Sequence, residues 1–262
     1  MPAEQTTDQL AATTSAGRVD EFYWDTVVFK VENSLFKVPR ERFIAQSEVF
    51  SGMFQLVPGD GHESVEGGSD DNPIVLEGYK ADDFIALLKA LYPGTSEVNG
   101  AGGPRTKDEM ISALKLSTIW EMKKIRKYAV YSLSHSFVSG ILSPVEKITL
   151  AREHRVSKWF IQGLTSLVED NLKLSLDELE ASVGLRTAYR ILGIKHEHCS
   201  SCRKNVKIPV RGAVFQKSIR DAFEVEINEM VEDERRYDSE VGYDSASQVG
   251  SDSEVEYTDA SS

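Results

Sequence analysis

One short segment, His196-Glu197-His198-Cys199-Ser200-Ser201-Cys202, concentrates the side chains best suited to metal chemistry. Two thiolates three residues apart, with two imidazoles beside them, could supply the four ligands of a tetrahedral zinc site. Structural zinc sites usually draw their ligand pairs from separated segments, and this chain has no second pair of cysteines. We therefore expect no metal held within one chain. A site shared across a dimer, or two reduced thiols at a helix end, is the favoured interpretation of His196, His198, Cys199 and Cys202.

The other chemically capable residues do not form a catalytic set. His62, His135 and His154 are scattered, and neither Gly-x-Ser-x-Gly nor His-Glu-x-x-His occurs. The glycine-rich Thr95–Arg105 lacks the Gly-Lys-Ser/Thr of a phosphate-binding loop. We expect a protein that is not an enzyme and that uses no cofactor, and a zinc or redox switch at His196–Cys202 is the weakest alternative.

Charge separates the chain into a neutral body and an acidic end. The net charge is −12, and Asp221–Ser262 holds 14 acidic and 2 basic residues, which leaves 28 of each in the remainder. Residues 232–262 are rich in Asp, Glu and Ser and predict a disordered acidic tail. Ser251 and Ser253 precede acids and resemble targets of an acid-directed kinase.

Two basic segments have alternative interpretations. Arg203–Arg220 carries six basic residues and no acid, so it could contact nucleic acid or pair with the acidic tail. We expect a basic linker over 201–231 that contains a weak amphipathic helix able to fold on a partner. Its apolar face consists of Phe215, Ile219, Ala222, Ile227 and Met230. Lys123–Lys127 could be a nuclear-localisation signal. A solvated helix face is favoured, because Ile125 continues an apolar stripe and the lysines lie around it.

The elements that position these residues begin with Asp25–Leu56. Val27–Val31 and Leu35–Val38 flank a polar turn and predict a β-hairpin. Pro39 ends the second strand. After it the period changes, since Phe43, Ser47, Phe50, Met53 and Phe54 recur at helical spacing. Pro73–Leu76 predicts a third strand, and Phe84, Leu87, Leu88 and Leu91 predict a helix.

These residues resemble the start of a BTB (POZ) domain. The matching positions are Val28, Phe29, Val31, Phe36, Val38, Pro39, Ser47, Phe50, Met53 and Phe54. "ADDFIALLKALYPG" and "ALKLSTIWEMKKIRKYAVYSL" resemble the later helices of that domain. The resemblance implies an α+β fold over residues 21–140, in which a short three-stranded sheet is flanked by α-helices.

A second resemblance covers an all-α extension over 141–200. Thr106–Glu109, Ser143–Glu146 and Ser175–Glu178 each predict a capping box or an equivalent helix start. The extension is similar to one found after the BTB fold in a large group from mushroom-forming fungi. The matching residues are Pro144, Glu146, Ile148, Leu150, Ala151, Arg152, Glu153, Val156, Trp159, Leu174, Leu176, Asp177, Glu178 and Gly184.

The resemblance implies a protein-interaction module. Such modules assemble with themselves or with other BTB proteins, and some act as adaptors for a cullin-type ubiquitin-ligase scaffold or in transcription. The candidate contact residues are Phe22, Tyr23, Trp24, Phe43 and Ile44. For the aromatic triplet at 22–24, packing onto the sheet edge or under the helices is the favoured interpretation and a partner contact is the alternative. The alternative is a nuclear regulatory protein whose acidic tail binds basic partners.

The remaining expectations concern the compartment. Residues 1–20 are polar, predict disorder and contain no apolar signal segment. No apolar run approaches the ~20 residues that a membrane span needs. We expect an intracellular protein of the cytoplasm, the nucleus or both, with protein partners, no membrane and no nucleic acid.

Overall fold

A computed structural model describes residues 17–55, 66–93, 106–135, 140–169, 175–202 and 211–238. Within these ranges the chain forms a small sheet surrounded by helices, followed by further helices. The predicted α+β arrangement, with helices after it, is therefore confirmed.

The sheet is built on the predicted hairpin. Strand β1 (Thr26–Val31) pairs antiparallel with β2 (Ser34–Pro39), from Thr26 opposite Pro39 to Val31 opposite Ser34. Strand β3 (Ile74–Val75) lies parallel to β1 on its other side, which gives the order β2-β1-β3. Val27, Val28, Phe29 and Val31 are buried, so the β-branched and aromatic content of β1 reflects a central strand.

The turn between β1 and β2 also starts a helix elsewhere in the chain. Glu32 adopts a positive φ of 52°, and its carboxylate accepts a 2.9 Å hydrogen bond from the backbone N–H of Ala81. Ala81 is the first residue of helix α3 (Ala81–Leu91), which has no capping side chain of its own. A carboxylate at a helix N-terminus satisfies a free N–H and interacts favourably with the helix dipole.

The first core lies between the sheet and the helices that follow β2. Helices α1 (Glu41–Gln46) and α2 (Glu48–Gln55) come directly after that strand, and a 3₁₀ helix (Asp20–Phe22) precedes β1. Buried Ser47 separates α1 from α2, and its hydroxyl donates to the Trp120 carbonyl at 2.6 Å. The rings of Phe29, Phe43, Phe50, Phe84 and Trp120 lie against one another, with closest centroid distances of 4.9–5.6 Å.

Helices α4 (Lys107–Ile119) and α5 (Lys123–Ser134) contribute to two cores. Ala113 and Leu116 of α4 face the sheet, whereas Met110 and Leu114 face a second, all-helical core. Thr106 and Glu109 form the predicted capping box at the start of α4. The positive φ of Glu121, 53°, turns the chain from α4 into α5.

The second core gathers around helix α7. Helix α7 spans Ser157–Glu169 and packs against α6 (Pro144–His154) and α9 (Leu185–Cys202), while α8 (Leu176–Val183) joins the same core by packing on α6 and α9. The predicted capping boxes of α6 and α8 are both present. Trp159 and Phe160 of α7 are fully buried, and the Trp159 indole donates to Ser134 of α5 at 2.8 Å.

Two further helices correct the expectation for the C-terminal third. Helices α10 (Arg211–Ala222) and α11 (Glu224–Asp238) occupy the predicted basic linker and the first residues of the predicted disordered tail. Ile219, Phe223, Ile227 and Met230 are 0–4% exposed in the second core, so this apolar face folds on its own chain. Helix α11 continues past Glu232 because Glu234 accepts hydrogen bonds from the backbone and hydroxyl of Ser157, at 2.9 and 2.7 Å.

The contact between α6 and α7 depends on a glycine. A Cβ atom placed on Gly163 would lie 2.7 Å from the Pro144 carbonyl oxygen and 2.8 Å from Ile148 Cγ1. The backbone of α7 therefore approaches α6 more closely than any side chain permits.

We predict that Gly163→Ala lowers the free energy of unfolding by about 1–3 kcal/mol, because the added methyl group meets a backbone carbonyl and the fully buried Ile148, neither of which can move away easily. Gly193→Ala is the matched control, since Gly193 lies in helix α9 with no atom within 4 Å of its added Cβ. Its helix propensity should raise stability by up to about 1 kcal/mol. Chemical denaturation of both variants measures the difference, and equal effects would contradict the close approach.

Candidate protein-interaction surfaces

The predicted aromatic contact segment is exposed where its side chains are described. Tyr23 is 58% exposed and Trp24 is 62% exposed. Phe22 ends the 3₁₀ helix, and its side chain lies outside the described part of the structure. The guanidinium group of Arg18 lies 4.4 Å from the centre of the Tyr23 ring. Two large aromatic side chains therefore face solvent immediately before the sheet.

The start of helix α1 lies beside this segment. The backbone N–H of Arg40 donates to the carbonyl of Asp25 at 3.0 Å, and the Arg40 and Asp25 side chains form an ion pair. Ile44, one turn into α1, is 38% exposed. These contacts place Tyr23, Trp24 and Ile44 around one end of the sheet, and we call this group the aromatic surface.

Phe43 does not belong to this surface, which corrects the sequence-based expectation. It is fully buried, with its ring centroid 5.1 Å from that of Phe29 and 4.9 Å from that of Phe50. Adjacent residues of an α-helix point about 100° apart, so Phe43 and Ile44 cannot share a face. Phe43 fills the first core and Ile44 remains at the surface.

A shallow cavity adjoins the aromatic surface. It measures about 220 Å³ and lies between α1, the start of α2 and the α4–α5 turn, where Ile44, Ser51, Glu121, Lys123 and Lys124 line it. Its lining mixes two apolar side chains, Ile44 and Ala45, with charged and polar ones. This composition is typical of the rim of a protein interface.

Comparison with known families agrees with this geometry. A model of the BTB/POZ domain family matches residues 18–136, which span the sheet and helices α1 to α5. Residues 18–136 match this family, and we call them the BTB/POZ domain. This domain is a protein–protein interaction module, so the expectation of an interaction protein is confirmed at that level. No curated protein matches the chain significantly.

A second surface lies between the BTB/POZ domain and α11. One face of α5 lines a groove of about 300 Å³, and the opposite wall comes from the start of α7 and from α11. The residues lining the groove are Lys123, Arg126, Lys127, Val130, Tyr131, Ser134, His135, Val156, Lys158, Glu234 and Tyr237. We call this feature the basic groove.

Arg126 forms the floor of the basic groove and corrects the prediction of a solvated helix face at 123–127. It is only 4% exposed, and its guanidinium group donates to the His154 carbonyl at 2.7 Å. The same group lies 4.1 Å from the centre of the Tyr237 ring, within the range of a cation–π contact. The sequence did carry a signal, since Arg126 falls between Ile125 and Ala129 within the apolar stripe of α5.

His154 lies buried next to this arginine. It is 3% exposed, and Nε2 has no hydrogen-bond partner within the described residues. Burial, with the nearby charges of Arg126 and Lys115, holds the pKa of His154 below its usual 6.5, although Glu153 acts in the opposite direction. The imidazole is therefore neutral at physiological pH.

The predicted metal segment forms the end of helix α9. His196 is exposed, whereas Nε2 of His198 lies 3.0 Å from the Ser218 hydroxyl and its ring packs against Phe215 of α10. Across the described residues, no three His, Cys, Asp or Glu side chains gather into a group that could hold a metal ion. The side chains of Cys199 and Cys202 lie outside that description.

Two further expectations concern phosphorylation and membrane insertion. Ser251 and Ser253 lie beyond Asp238, outside the described residues. Among the described helices, none combines the length and the apolar character that a membrane span requires.

We predict that burial of neutral His154 makes stability depend on pH. The folded-state pKa lies below the unfolded value, so the unfolded chain binds a proton first as the pH falls. The free energy of unfolding should therefore decrease from about pH 6.5 towards about pH 5. Denaturant titrations across this range should show a shallower decrease for His154→Phe.

His196→Gln is the control for this prediction because His196 is exposed. It should retain the full pH dependence of the parent chain. If His154→Phe and the parent showed the same slope, protonation of His154 would not be its source.

Proposed function

We propose that this BTB/POZ protein assembles with a second copy, or with another BTB/POZ protein, through the aromatic surface of Tyr23, Trp24 and Ile44. The assembly serves as an adaptor or scaffold. The proposal rests on the exposure of these three large side chains beside the first helix of the interaction domain.

The chemistry of these side chains supports the proposal. Tyr and Trp bury a large area at a small cost in conformational entropy, and they are enriched among residues that dominate binding energy. Trp24 precedes Asp25, whose carbonyl and side chain both contact Arg40, so the chain next to Trp24 is attached to the start of α1 in the free protein. A preorganised anchor loses less entropy on association than a mobile one.

The helical extension favours one particular group of BTB/POZ proteins. The Pro144, Glu146, Arg152, Glu153 and Trp159 pattern resembles the extension of BTB proteins from mushroom-forming fungi. We propose membership of that group, with a ubiquitin-ligase or transcription role for the scaffold. In the described structure the extension shares a core with α4, so it supports the BTB/POZ domain directly.

We predict that the full chain forms a dimer or larger oligomer in light scattering behind size exclusion, and that Trp24→Ala weakens it. A buried interface tryptophan contributes about 2 kcal/mol or more, which corresponds to at least about 30-fold in Kd. Sedimentation over a concentration series measures this change.

The matched control is Tyr189→Ala on helix α9, which removes an aromatic side chain that is 77% exposed. It should leave the Kd unchanged. The proposal fails if the parent chain is monomeric at every concentration and Trp24→Ala still captures the same protein partners.

A further inference from the structure

The basic groove presents one continuous helix face. Residues 123, 126, 127, 130, 131 and 134 of α5 recur at intervals of one and three residues, which places them along a single side of the helix. The 12 residues of α5 extend about 18 Å. The groove is therefore long enough for several residues of an extended peptide.

The charges lining this groove are mostly positive. Lys123, Arg126, Lys127 and Lys158 are the cations, and Glu234 is the one acidic residue among the lining side chains. Both carboxylate oxygens of Glu234 already accept hydrogen bonds from Ser157. Among the described residues, neither Lys127 nor Lys158 forms an ion pair. Buried Arg126 adds charge to the floor, where screening by solvent is weak.

The acidic segment of the same chain begins at the edge of this groove. Tyr237 lines the groove, helix α11 ends at Asp238, and residues 239–262 follow. These 24 residues contain six Asp or Glu and no Lys or Arg. Such a length can reach up to about 80 Å, so every part of the groove is accessible.

We propose that the basic groove is a binding site for acidic peptide and that residues 239–262 of the same chain occupy it. Attachment at Asp238 gives the segment an effective concentration in the millimolar range, so weak electrostatic contacts suffice for binding. Carboxylates of the segment pair with Lys127 and Lys158. Phosphate on Ser251 or Ser253 would add about 1.5–2 negative charges each and strengthen the contact.

Cross-linking of the full chain tests the location of the segment. A carbodiimide joins a carboxylate to a lysine amine only where the two are in contact. Mass spectrometry should find links from the carboxylates of residues 239–262 to Lys127 and Lys158. Lys124, which lies on the same helix but does not line the groove, serves as the control.

Mixing isotope-labelled and unlabelled chains before cross-linking separates binding within a chain from binding between chains. Links that join labelled to unlabelled peptides would overturn occupancy by the same chain. Links to Lys124 as frequent as those to Lys127 would show that the segment does not prefer the groove, and would overturn its proposed location.

Limited proteolysis supplies an independent measurement on the full chain. In Lys127→Gln/Lys158→Gln, cleavage after Glu254 and Glu256 by a glutamate-specific protease should accelerate by about fivefold or more, because the segment loses its cationic partners. Lys124→Gln should be cleaved at the parent rate, and thermal unfolding verifies that both variants are folded. Equal cleavage rates in all three proteins would overturn the proposal.

Discussion

The structure depends on one helix that is buried on two sides. Helix α4 places Ala113 and Leu116 in the core under the sheet and Met110 and Leu114 in the helical core behind it. Apolar side chains on two faces of one helix are stable only when both faces are packed against other elements. The extension therefore covers an apolar face that the BTB/POZ domain would otherwise expose. An ion pair between Lys107 of α4 and Glu146 of α6, 2.7 Å long, joins the two layers at their edge.

Charged side chains then attach the last helix to this framework. Arg152 of α6 contacts Glu226 of α11 at 2.7 Å, the Val183 carbonyl at the end of α8 at 3.1 Å, and the Thr187 hydroxyl of α9 at 2.7 Å. Planar guanidinium groups suit such multiple contacts better than lysine does. Because charge-assisted hydrogen bonds are stronger than neutral ones, this single residue fixes the position of three other helices.

Local signals in the sequence predicted most of the fold, and the failures were all tertiary. The hairpin, three capping boxes and the buried face of α3 follow from spacing within ten residues or so, which is the range over which periodicity operates. The aromatic triplet was correctly placed before the sheet. Phe43 was assigned to the surface because a six-residue helix is too short for its apolar face to be identified. Arg126 was assigned to solvent because a charged residue in an apolar stripe is usually at its edge. The apolar face of α10 and α11 was identified but assigned to a separate partner, because nothing in local spacing shows that it packs on α7, about 60 residues earlier in the chain.

The aromatic surface and the basic groove meet at the N-terminus of α5. Lys123 lines both the groove and the cavity beside Ile44. An acidic segment in the groove would change the charge around Lys123, next to the cavity, and exposed charges interact over a Debye length of about 8 Å. A bound segment shifts assembly only as far as its contacts differ between the free and assembled states. Coupling between the two surfaces would therefore act through the charge at Lys123 and would require no rearrangement of either core.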